Sequence, residues 1–349
     1  MSLFSSNNSY LGIDIGSSGI KMAEFKKEKG QLKLASYGFT ENLKELNKED
    51  WHEDTSYVAD VMNKVLKDAG AVSRNAVSAL PTFSVFSSVI NLFNVSPKDI
   101  PSAIRWEAKK IIPLPLEDMV LDWKIISEKG EKEKKDSVMI LLTGAPTSLV
   151  KKYINFFKEA KINLLSLETE TFSLVRSLVG NDKSVVMIVE MGSSTTDITI
   201  VEKSIPILSR SIDIGGLTIS KAISNNLNIG LERAEQFKYD MGMSSEISGN
   251  NNAIPQTIIK AINPVINEIK YLSNLFQSKN DKKIEKIILS GGSSLISDFD
   301  VYLSKILDMK IIIGDPWSRV SCPVELKPVL DEIGPGMSVA IGLAMREVE

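Results

Sequence analysis

The sequence predicts an α/β protein made of two related lobes, with an additional module inserted in the first lobe. Two segments carry this prediction, residues 11–21 and 185–197. Each is an apolar strand that runs into a tight turn rich in glycine and hydroxyl side chains, with an acidic residue just before the turn. They lie about half of the 349-residue chain apart. That spacing indicates an internal duplication, with two related halves facing each other.

The remaining elements follow from hydrophobic periodicity and from Gly and Pro positions. In the first half we predict strands over 31–39 and 76–80 and a helix over 56–68. The inserted module has a helix over 99–112, strands over 119–127 and 137–144, and a solvated, charged hairpin tip over 128–136. The predicted core face of that helix is Ile100, Ile104, Ala108 and Ile111.

The second half is predicted in the same way. It has three strands over 185–214, a helix opened by Gly215 and Gly216, helices over 232–241 and from 254 towards 276, a strand over 284–289, a helix over 298–307, a strand over 311–313 and a final helix from about 337. Pro264 is expected to kink or split the long helix. The predicted divisions are 1–82 with 163–183 (first lobe core), 83–162 (insert), 184–228 with 284–349 (second lobe core) and 229–283 (helical subdomain of the second lobe).

Composition excludes several kinds of chemistry. A net charge of −3 gives no reason to expect nucleic acid as a partner. The single cysteine, Cys322, excludes an internal disulfide, and the single histidine, His52, makes a histidine-rich metal site or catalytic triad hard to assemble. No segment reaches the roughly 20 apolar residues that cross a bilayer, the Ser- and Asn-rich start lacks a signal peptide, and the end lacks an amphipathic tail. We therefore expect a cytoplasmic protein that does not itself insert into a membrane.

The first hairpin has the groups that bind phosphate. Backbone amides at close range, hydroxyls and one cation are needed, and Gly16, Ser17, Ser18 and Lys21 offer them. Asp14 is placed to hold a hydrated Mg²⁺, because that ion binds carboxylates through retained waters. A Gly/Ser hairpin by itself is more often a plain turn, so the prediction depends on the other segments.

Two further turns favour one nucleotide held in a cleft. The second hairpin has Glu190 in the place of Asp14, followed by Gly192, Ser193, Ser194 and Thr195. A third turn follows a strand and has no side chain at its bend, so that an adenine can pack on its backbone; its residues are Gly291, Gly292 and Ser293.

These three turns resemble the two phosphate loops and the adenosine loop of the actin/Hsp70 superfamily. The first loop of that family reads Asp-x-Gly-Ser-x-x-x-Lys, which this chain matches from Asp14 to Lys21. Residues 234–242 are similar to a helix of bacterial actin homologues, so Glu235 and Lys238 are expected at the ribose and adenine. Without the resemblance, this pair also fits an exposed i,i+3 ion pair of little energy. The resemblance implies a two-lobed, actin-like fold built from duplicated ribonuclease H-like halves, with ATP and Mg²⁺ as cofactors.

Within the superfamily, residues 104–118, 314–317 and 339–347 resemble the PilM family of type IV pilus assembly proteins. That family and FtsA share an inserted subdomain at this position, but FtsA ends in a membrane-binding helix that we do not find here. The resemblance implies a cytoplasmic scaffold at the inner membrane that binds the N-terminal tail of PilN. Its further partners would be the PilN/PilO complex and the motor ATPase of a pilus used in twitching motility, or of a related type II secretion system.

Alternatives and one departure remain. An FtsA-like filament would require self-association, which the sequence leaves open, and a kinase of the superfamily would need a polar acceptor site that we do not find.

Glu190 stands where related families have Asp, and a carboxylate displaced by about 1.5 Å aligns water poorly, so we expect a slow ATPase at most. Trp106 and Ile111 are the predicted anchors for the partner tail, although Trp106 also fits packing under the charged hairpin.

Overall fold

The computed structural model describes residues 9–40, 51–126, 137–243, 253–279 and 281–347. Strands β1 to β13 are Ser9–Gly16, Gly19–Glu28, Gln31–Phe39, Asn75–Leu80, Phe86–Phe93, Met119–Ile125, Ser137–Pro146, Asn163–Thr169, Val186–Met191, Thr196–Glu202, Ile205–Ile212, Lys286–Ser290 and Ile311–Ile313. Helices α1 to α9 are Thr55–Asp68, Ile100–Ile111, Thr147–Glu159, Glu170–Leu174, Gly216–Leu227, Leu231–Met241, Ala253–Lys279, Phe299–Leu307 and Lys327–Met345.

The two large sheets have the same topology. Their strand orders are β3-β2-β1-β4-β8 and β11-β10-β9-β12-β13. In each sheet the first three strands in sequence are antiparallel, and the last two join in parallel. Each half therefore repeats one arrangement, which confirms the predicted duplication and the α/β class. Because the repeated hairpins β1–β2 and β9–β10 occupy equivalent places, their turns are equivalent as well.

Each sheet is covered by helices. Apolar residues of α1 and α3 pack on β1 and β4 in the first lobe, and those of α5, α7 and α8 pack on β9, β10 and β12 in the second. Helix α7 is one continuous element through Pro264. The expected split at this proline is therefore wrong, and the expected kink stays a prediction. Ile262, Val265 and Ile266 on both sides of the proline are buried in the second-lobe core, and this packing holds the helix together.

The final helix begins at Lys327, ten residues before the predicted start at 337. The prediction failed because Gly334, Pro335 and Gly336 are typical of a break. In the structure the carbonyl of Pro335 instead accepts a hydrogen bond from the Gly291 amide at 2.9 Å. The Trp317 indole donates to the Leu330 carbonyl at 2.8 Å. Tertiary contacts thus fix this turn of the helix despite its low propensity.

The insert is a three-stranded sheet, β5-β7-β6, with α2 on one face. Strand β5 was not predicted. Ile111, predicted for the core face of α2, is 37% exposed, whereas Ile112 is buried. The chain turns into an extended conformation at Ile112, which directs that side chain inward instead. The predicted tip over 128–136 lies outside the described residues.

Helix α3 falls within the predicted insert, over 83–162, but it packs elsewhere. Its Tyr153, Phe156 and Phe157 are buried in the cluster formed by α1 and β1 of the first lobe. We therefore propose that the insert ends near residue 146. In the part of the chain that the structure describes, no helix combines the length and apolar character needed to cross a membrane.

Candidate functional site

The first hairpin forms the predicted turn. Gly16 pairs with Gly19, which leaves Ser17 and Ser18 at the bend. The Trp51 indole donates to the Ser17 carbonyl at 3.3 Å. This contact fixes the turn from outside the sheet, and sequence reasoning missed it because Trp51 is far away in the chain.

Asp14 and Lys21 face each other across this hairpin. They are paired positions of β1 and β2, and Lys21 Nζ lies 3.9 Å from Asp14 Oδ2. Burial raises the pKa of the Asp14 carboxyl, and the Lys21 charge opposes that rise. The lysine is partly exposed, with 27% of its side-chain surface accessible. The Lys21 ammonium group can therefore contact a ligand while it remains near Asp14.

The second hairpin has a different charge pattern at the equivalent positions. Glu190 faces Asp197 across β9 and β10, so that an acid stands where the first hairpin has Lys21. Burial, with Asp197 as the next cause, raises the pKa of Glu190 to about 8. Burial raises the pKa of Asp197 to about 6. The charge of Lys21 lowers the pKa of Glu190, which places the two hairpins in electrostatic contact.

Glu170 joins this group, although sequence reasoning missed it. It begins α4 directly after β8, a strand that was not predicted. Burial raises the pKa of its carboxyl well above the usual range, and Asp197, Asp14 and Glu190 raise it further. Four carboxylates from both lobes, Asp14, Glu170, Glu190 and Asp197, therefore form one acidic cluster with Lys21 beside it.

The acidic cluster fits a cation held through water. Among the described residues no group of three acidic, His or Cys side chains is close enough to bind a metal directly. In the same part of the chain, Asp197 Oδ1 is buried and accepts no hydrogen bond, and paired like charges such as Glu190 and Asp197 are unfavourable without a counterion. Mg²⁺ keeps several of its waters when it binds to proteins. The residues present are therefore compatible with hydrated Mg²⁺ near Asp14 and Glu190.

The third glycine turn lies directly against the second hairpin. Gly291 has φ of +81°, and a Cβ atom there would lie 2.3 Å from the Met191 carbonyl oxygen and 2.7 Å from Glu190 Oε1. Only glycine fits this approach without a shift of the backbone. In the second hairpin, the carbonyls of Gly192 and Ser193 accept hydrogen bonds, both at 2.9 Å, from the first two amides of α5.

Helix α6 brings Glu235 and Lys238 to the same region. Lys238 Nζ donates to Glu235 Oε1 at 2.7 Å and to the Gly216 carbonyl at 3.3 Å. Lys238 is 1% exposed, and burial lowers its pKa. An exposed ion pair is therefore excluded. Ser220 of α5 also donates to Glu235, so two helices meet at this carboxylate.

Tyr239 connects α6 with the third turn and was also missed. Its ring lies 4.6 Å from Lys238 Nζ, and its hydroxyl bonds with the buried Ser293. A Cβ atom on Gly292 would lie 3.8 Å from that hydroxyl. Ser293, Gly292 and the α6 pair thus form one wall next to the second hairpin. A flat base can pack between an aromatic ring and glycine backbone.

The predicted partner residues lie elsewhere, on α2 of the insert. Trp106 is 66% exposed, and the charged hairpin under which it was alternatively expected to pack lies outside the described residues. Lys110 Nζ lies 5.8 Å from the centre of its ring. Trp106 and Ile111 are therefore both accessible on this module.

Comparison with known proteins decides the family. The family model described as "Type IV pilus assembly protein PilM" matches residues 12–348. The chain belongs to the PilM family. The cell division protein FtsA of Neisseria meningitidis serogroup B (strain ATCC BAA-335 / MC58) is 27% identical over an alignment of 286 residues, which covers 71% of this chain and 66% of that protein. The alignment therefore spans slightly less than two thirds of FtsA.

Solved structures show the same fold. The PilM-PilN type IV pilus biogenesis complex superposes with a TM-score of 0.84 at 23% identity and covers 97% of this chain and 98% of that one. MreB 5 of Spiroplasma citri bound to AMPPNP gives a TM-score of 0.53 at 14% identity, covering 97% and 95%. The predicted actin-like fold is thus confirmed. As a PilM family member, the chain is an actin-like protein of type IV pilus assembly.

Proposed function

We propose that this chain is an ATP-binding scaffold of the type IV pilus inner-membrane assembly platform. The observation that carries the proposal is the acidic cluster with Lys21, enclosed by three glycine turns from both lobes. Related structures support it, since MreB 5 was solved with AMPPNP. One nucleotide that contacts both lobes would hold them in a single arrangement, which is what a switchable scaffold needs.

Each part of the site has a proposed role. The amides and hydroxyls of Gly16, Ser17 and Ser18, and of Gly192, Ser193, Ser194 and Thr195, bind the phosphates on two sides, and Lys21 pairs with their charge. Glu235 and Lys238 face the ribose and adenine, with Gly291, Gly292 and Ser293 under the base. Asp14 and Glu190 orient the waters of Mg²⁺, which supplies positive charge between the carboxylates and the phosphates. Glu170 lies beside these carboxylates, and burial raises the pKa of its own carboxyl.

The proposed partner is a short N-terminal tail of an inner-membrane protein of the PilN type. The PilM–PilN complex superposes on nearly the whole chain, which supports this choice. Trp106 and Ile111 on α2 offer exposed apolar surface for the tail. Through the tail, the protein would lie at the cytoplasmic face of the inner membrane and link PilN/PilO to the motor ATPase.

Two binding measurements test the proposal. Calorimetry with ATP, with and without Mg²⁺, should give one site per chain, and absence of binding at millimolar ATP would contradict it. A fluorescently labelled peptide of the PilN tail should bind in an anisotropy titration, whereas a scrambled peptide of equal composition should not. A pull-down from membrane extract with and without ATP then shows whether capture of the partner depends on the nucleotide.

A further inference from the structure

The turn of the first hairpin differs from the other two-residue turns of the two large sheets. In the β2–β3 and β10–β11 turns both central residues have positive φ; they are Lys29, Gly30, Lys203 and Ser204. Turns of that kind match the twist of antiparallel strands. Neither Ser17 nor Ser18 has positive φ. Because a turn with negative φ at both central residues splays its strands, contacts from outside the hairpin must hold this one in shape.

Two side chains supply those contacts. Thr40 Oγ1 accepts a hydrogen bond from the Ile20 amide at 3.0 Å, and the Thr40 amide donates to the Ile20 carbonyl at 3.0 Å. These bonds fix the strand that leaves the turn. The Trp51 indole donates to the Ser17 carbonyl at 3.3 Å. That bond fixes the central peptide of the turn, which joins Ser17 to Ser18.

The Trp51 indole is itself held in place. Trp51 is 2% exposed. Its ring lies edge-on to the rings of His52 and Tyr57, with centroids 5.4 and 6.4 Å away. It also belongs to the apolar cluster of the first lobe that contains Ile13 and Ile15. The indole N–H therefore has a fixed position relative to the hairpin.

The Trp51 bond determines where the Ser18 amide points. Trp51 packs with the odd-numbered side chains of β1, on the face covered by α1. Side chains alternate along a strand, so Asp14 and its paired residue Lys21 lie on the opposite face. The peptide between Ser17 and Ser18 is trans, and in a trans peptide the carbonyl and the N–H point in opposite directions. Because the Ser17 carbonyl faces Trp51, the Ser18 amide points to the side of Asp14 and Lys21.

We infer that Trp51 is a positioning residue that directs the Ser18 amide at the phosphates of the nucleotide. The inference rests on the proposed function, since it takes Mg²⁺–ATP as the ligand of the hairpin. A carbonyl that accepts a hydrogen bond polarises its peptide unit, which makes the N–H on the other side a stronger donor. An anion bound at the Ser18 amide strengthens the Trp51 bond in return. The contribution of Trp51 is therefore specific to the phosphates and absent for the nucleoside.

Calorimetry of Trp51→Phe tests this role. The variant keeps an aromatic ring in the cluster and loses the N–H donor. Mg²⁺–ATP should bind about tenfold more weakly, as for the loss of one well-placed hydrogen bond to a charged group. Binding of adenosine, which has no phosphate, should not change. Tyr57→Phe alters the same aromatic cluster without removing the indole, so it is the matched control and should bind both ligands like wild type. If Trp51 only supports the fold, both ligands should be weakened equally.

The indole signal of the wild-type protein gives a second measurement. In protein with ¹⁵N-labelled tryptophan, the Nε1–H resonance of Trp51 should move downfield at saturating Mg²⁺–ATP and stay in place with adenosine. Trp51→Phe assigns this resonance by its absence. If that variant does not fold, Phe variants of the other tryptophans, of which the chain has four in all, assign it instead.

The outcomes separate this inference from the proposed function. If wild-type protein binds ATP but the Trp51 resonance does not move, the inference is refuted and the ATP site stands. The same conclusion follows if folded Trp51→Phe binds ATP as tightly as wild type, or if it loses affinity for ATP and adenosine alike. If calorimetry shows that wild-type protein does not bind ATP, the proposed function fails and the inference fails with it.

Discussion

At the scale of single residues, the site is defined by four acidic side chains with one cation beside them. Asp14, Glu170, Glu190 and Asp197 act on each other's pKa values, and Lys21 is the cation opposite Asp14. A protein that keeps like charges together without a ligand loses stability in doing so. We propose that a bound cation and ligand recover this cost.

Our first prediction concerns the pH dependence of the nucleotide-free protein. The folded-state pKa of Glu190 is raised to about 8 from an ordinary value of 4.5. The folded state therefore holds the proton more tightly, and stability falls as pH rises from about 4.5 to 8. Glu190→Gln removes this loss, so the variant should gain on the order of 1–3 kcal/mol relative to wild type between pH 5.5 and 8.5. Urea unfolding at both pH values measures it, and Glu202→Gln, which changes an acid on the neighbouring strand, is the control. Parallel curves for wild type and Glu190→Gln would contradict the prediction.

A second prediction at this scale concerns hydrolysis. The carboxylate of Glu190 lies against Gly291 and Gly192, so that the longer side chain is accommodated by glycine on both sides. A shorter Asp would hold its carboxylate at a different position, and small misplacements reduce rates by about 100-fold. We expect turnover below about 1 s⁻¹, against a median near 10 s⁻¹ for enzymes. Glu190→Asp should hydrolyse ATP faster in a phosphate-release assay. Fast turnover by wild-type protein alone would show that Glu190 is well placed.

Which of these residues were predictable depended on sequence distance. Asp14, Lys21 and Glu190 stand within hairpins whose turns show in the sequence, and the structure places them as neighbours. Glu170 was missed because it follows a strand that alternates weakly. Tyr239 was missed because its partner Ser293 is distant in the chain. Contacts of this kind depend on packing between elements, and no local pattern records them.

At the scale of elements, α9 contributes most to the shape of the site. It lies on β1 so closely that a Cβ atom at Gly12 would be 2.0 Å from the Ala340 carbonyl oxygen. A Cβ atom at Gly342 of the same helix would also lie 2.0 Å from the Ser173 carbonyl oxygen. The helix also bonds the third turn through Pro335. The position of Gly291 and Gly292 is thus set by a helix that starts far from them in sequence.

The third prediction tests this close packing. Gly12→Ala places a methyl group into backbone atoms that cannot move aside, so it should cost about 3 kcal/mol or more of unfolding free energy. Gly230→Ala is the control, because no atom lies within 4 Å of the Cβ position there and its φ is ordinary. It should change stability by less than about 1 kcal/mol. Denaturant titration of both variants measures the change in unfolding free energy. Equal losses in the two variants would mean that α9 can shift away from β1 to make room for the methyl group.

The fourth prediction concerns α2 of the insert. Trp106 is exposed and contributes nothing to the insert core, so Trp106→Ala should leave the melting curve unchanged. If it anchors the partner tail, the peptide should bind at least about 10-fold more weakly, because an aromatic anchor contributes 1–2 kcal/mol or more. Tyr271→Ala removes a half-exposed aromatic ring from the second lobe and is the matched control. Unchanged affinity in folded Trp106→Ala would remove this residue from the partner site.

Elements were predicted well where a single periodic pattern covered them. Strand β3 and strand β13 have the predicted bounds. Strand β5 and helix α3 were missed, since β5 mixes exposed Phe93 with buried Ile90 and α3 follows a strand without a clear break. The predicted start of α9 was wrong because the prediction used only the local tendency of glycine and proline to end helices. Contacts with the rest of the fold set their conformation instead.

At the scale of the whole molecule, one apolar cluster joins the two lobes. It contains Val77 of β4, Val186 of β9, Ile288 of β12 and Leu343 of α9. The lobes are therefore joined by these packed side chains. Under the proposed function, a ligand bound at the acidic cluster would contact both halves and stabilise the molecule as one unit.

The fifth prediction follows from this arrangement. Mg²⁺–ATP should raise the melting temperature by a few degrees, since a ligand at 100 times its dissociation constant adds about 2.7 kcal/mol to the stability of the state that binds it. ATP without Mg²⁺ should raise the melting temperature less, because the phosphates then meet four carboxylates without a counterion.

Lys21→Ala should lose most of the shift and Ser18→Ala only part, since the lysine supplies a full charge and the serine one hydrogen bond. Lys33→Ala, which removes an exposed lysine of the same sheet, should behave as wild type. Scanning calorimetry measures all four proteins, and an equal shift in Lys21→Ala and Lys33→Ala would mean that ATP binds somewhere other than between these hairpins.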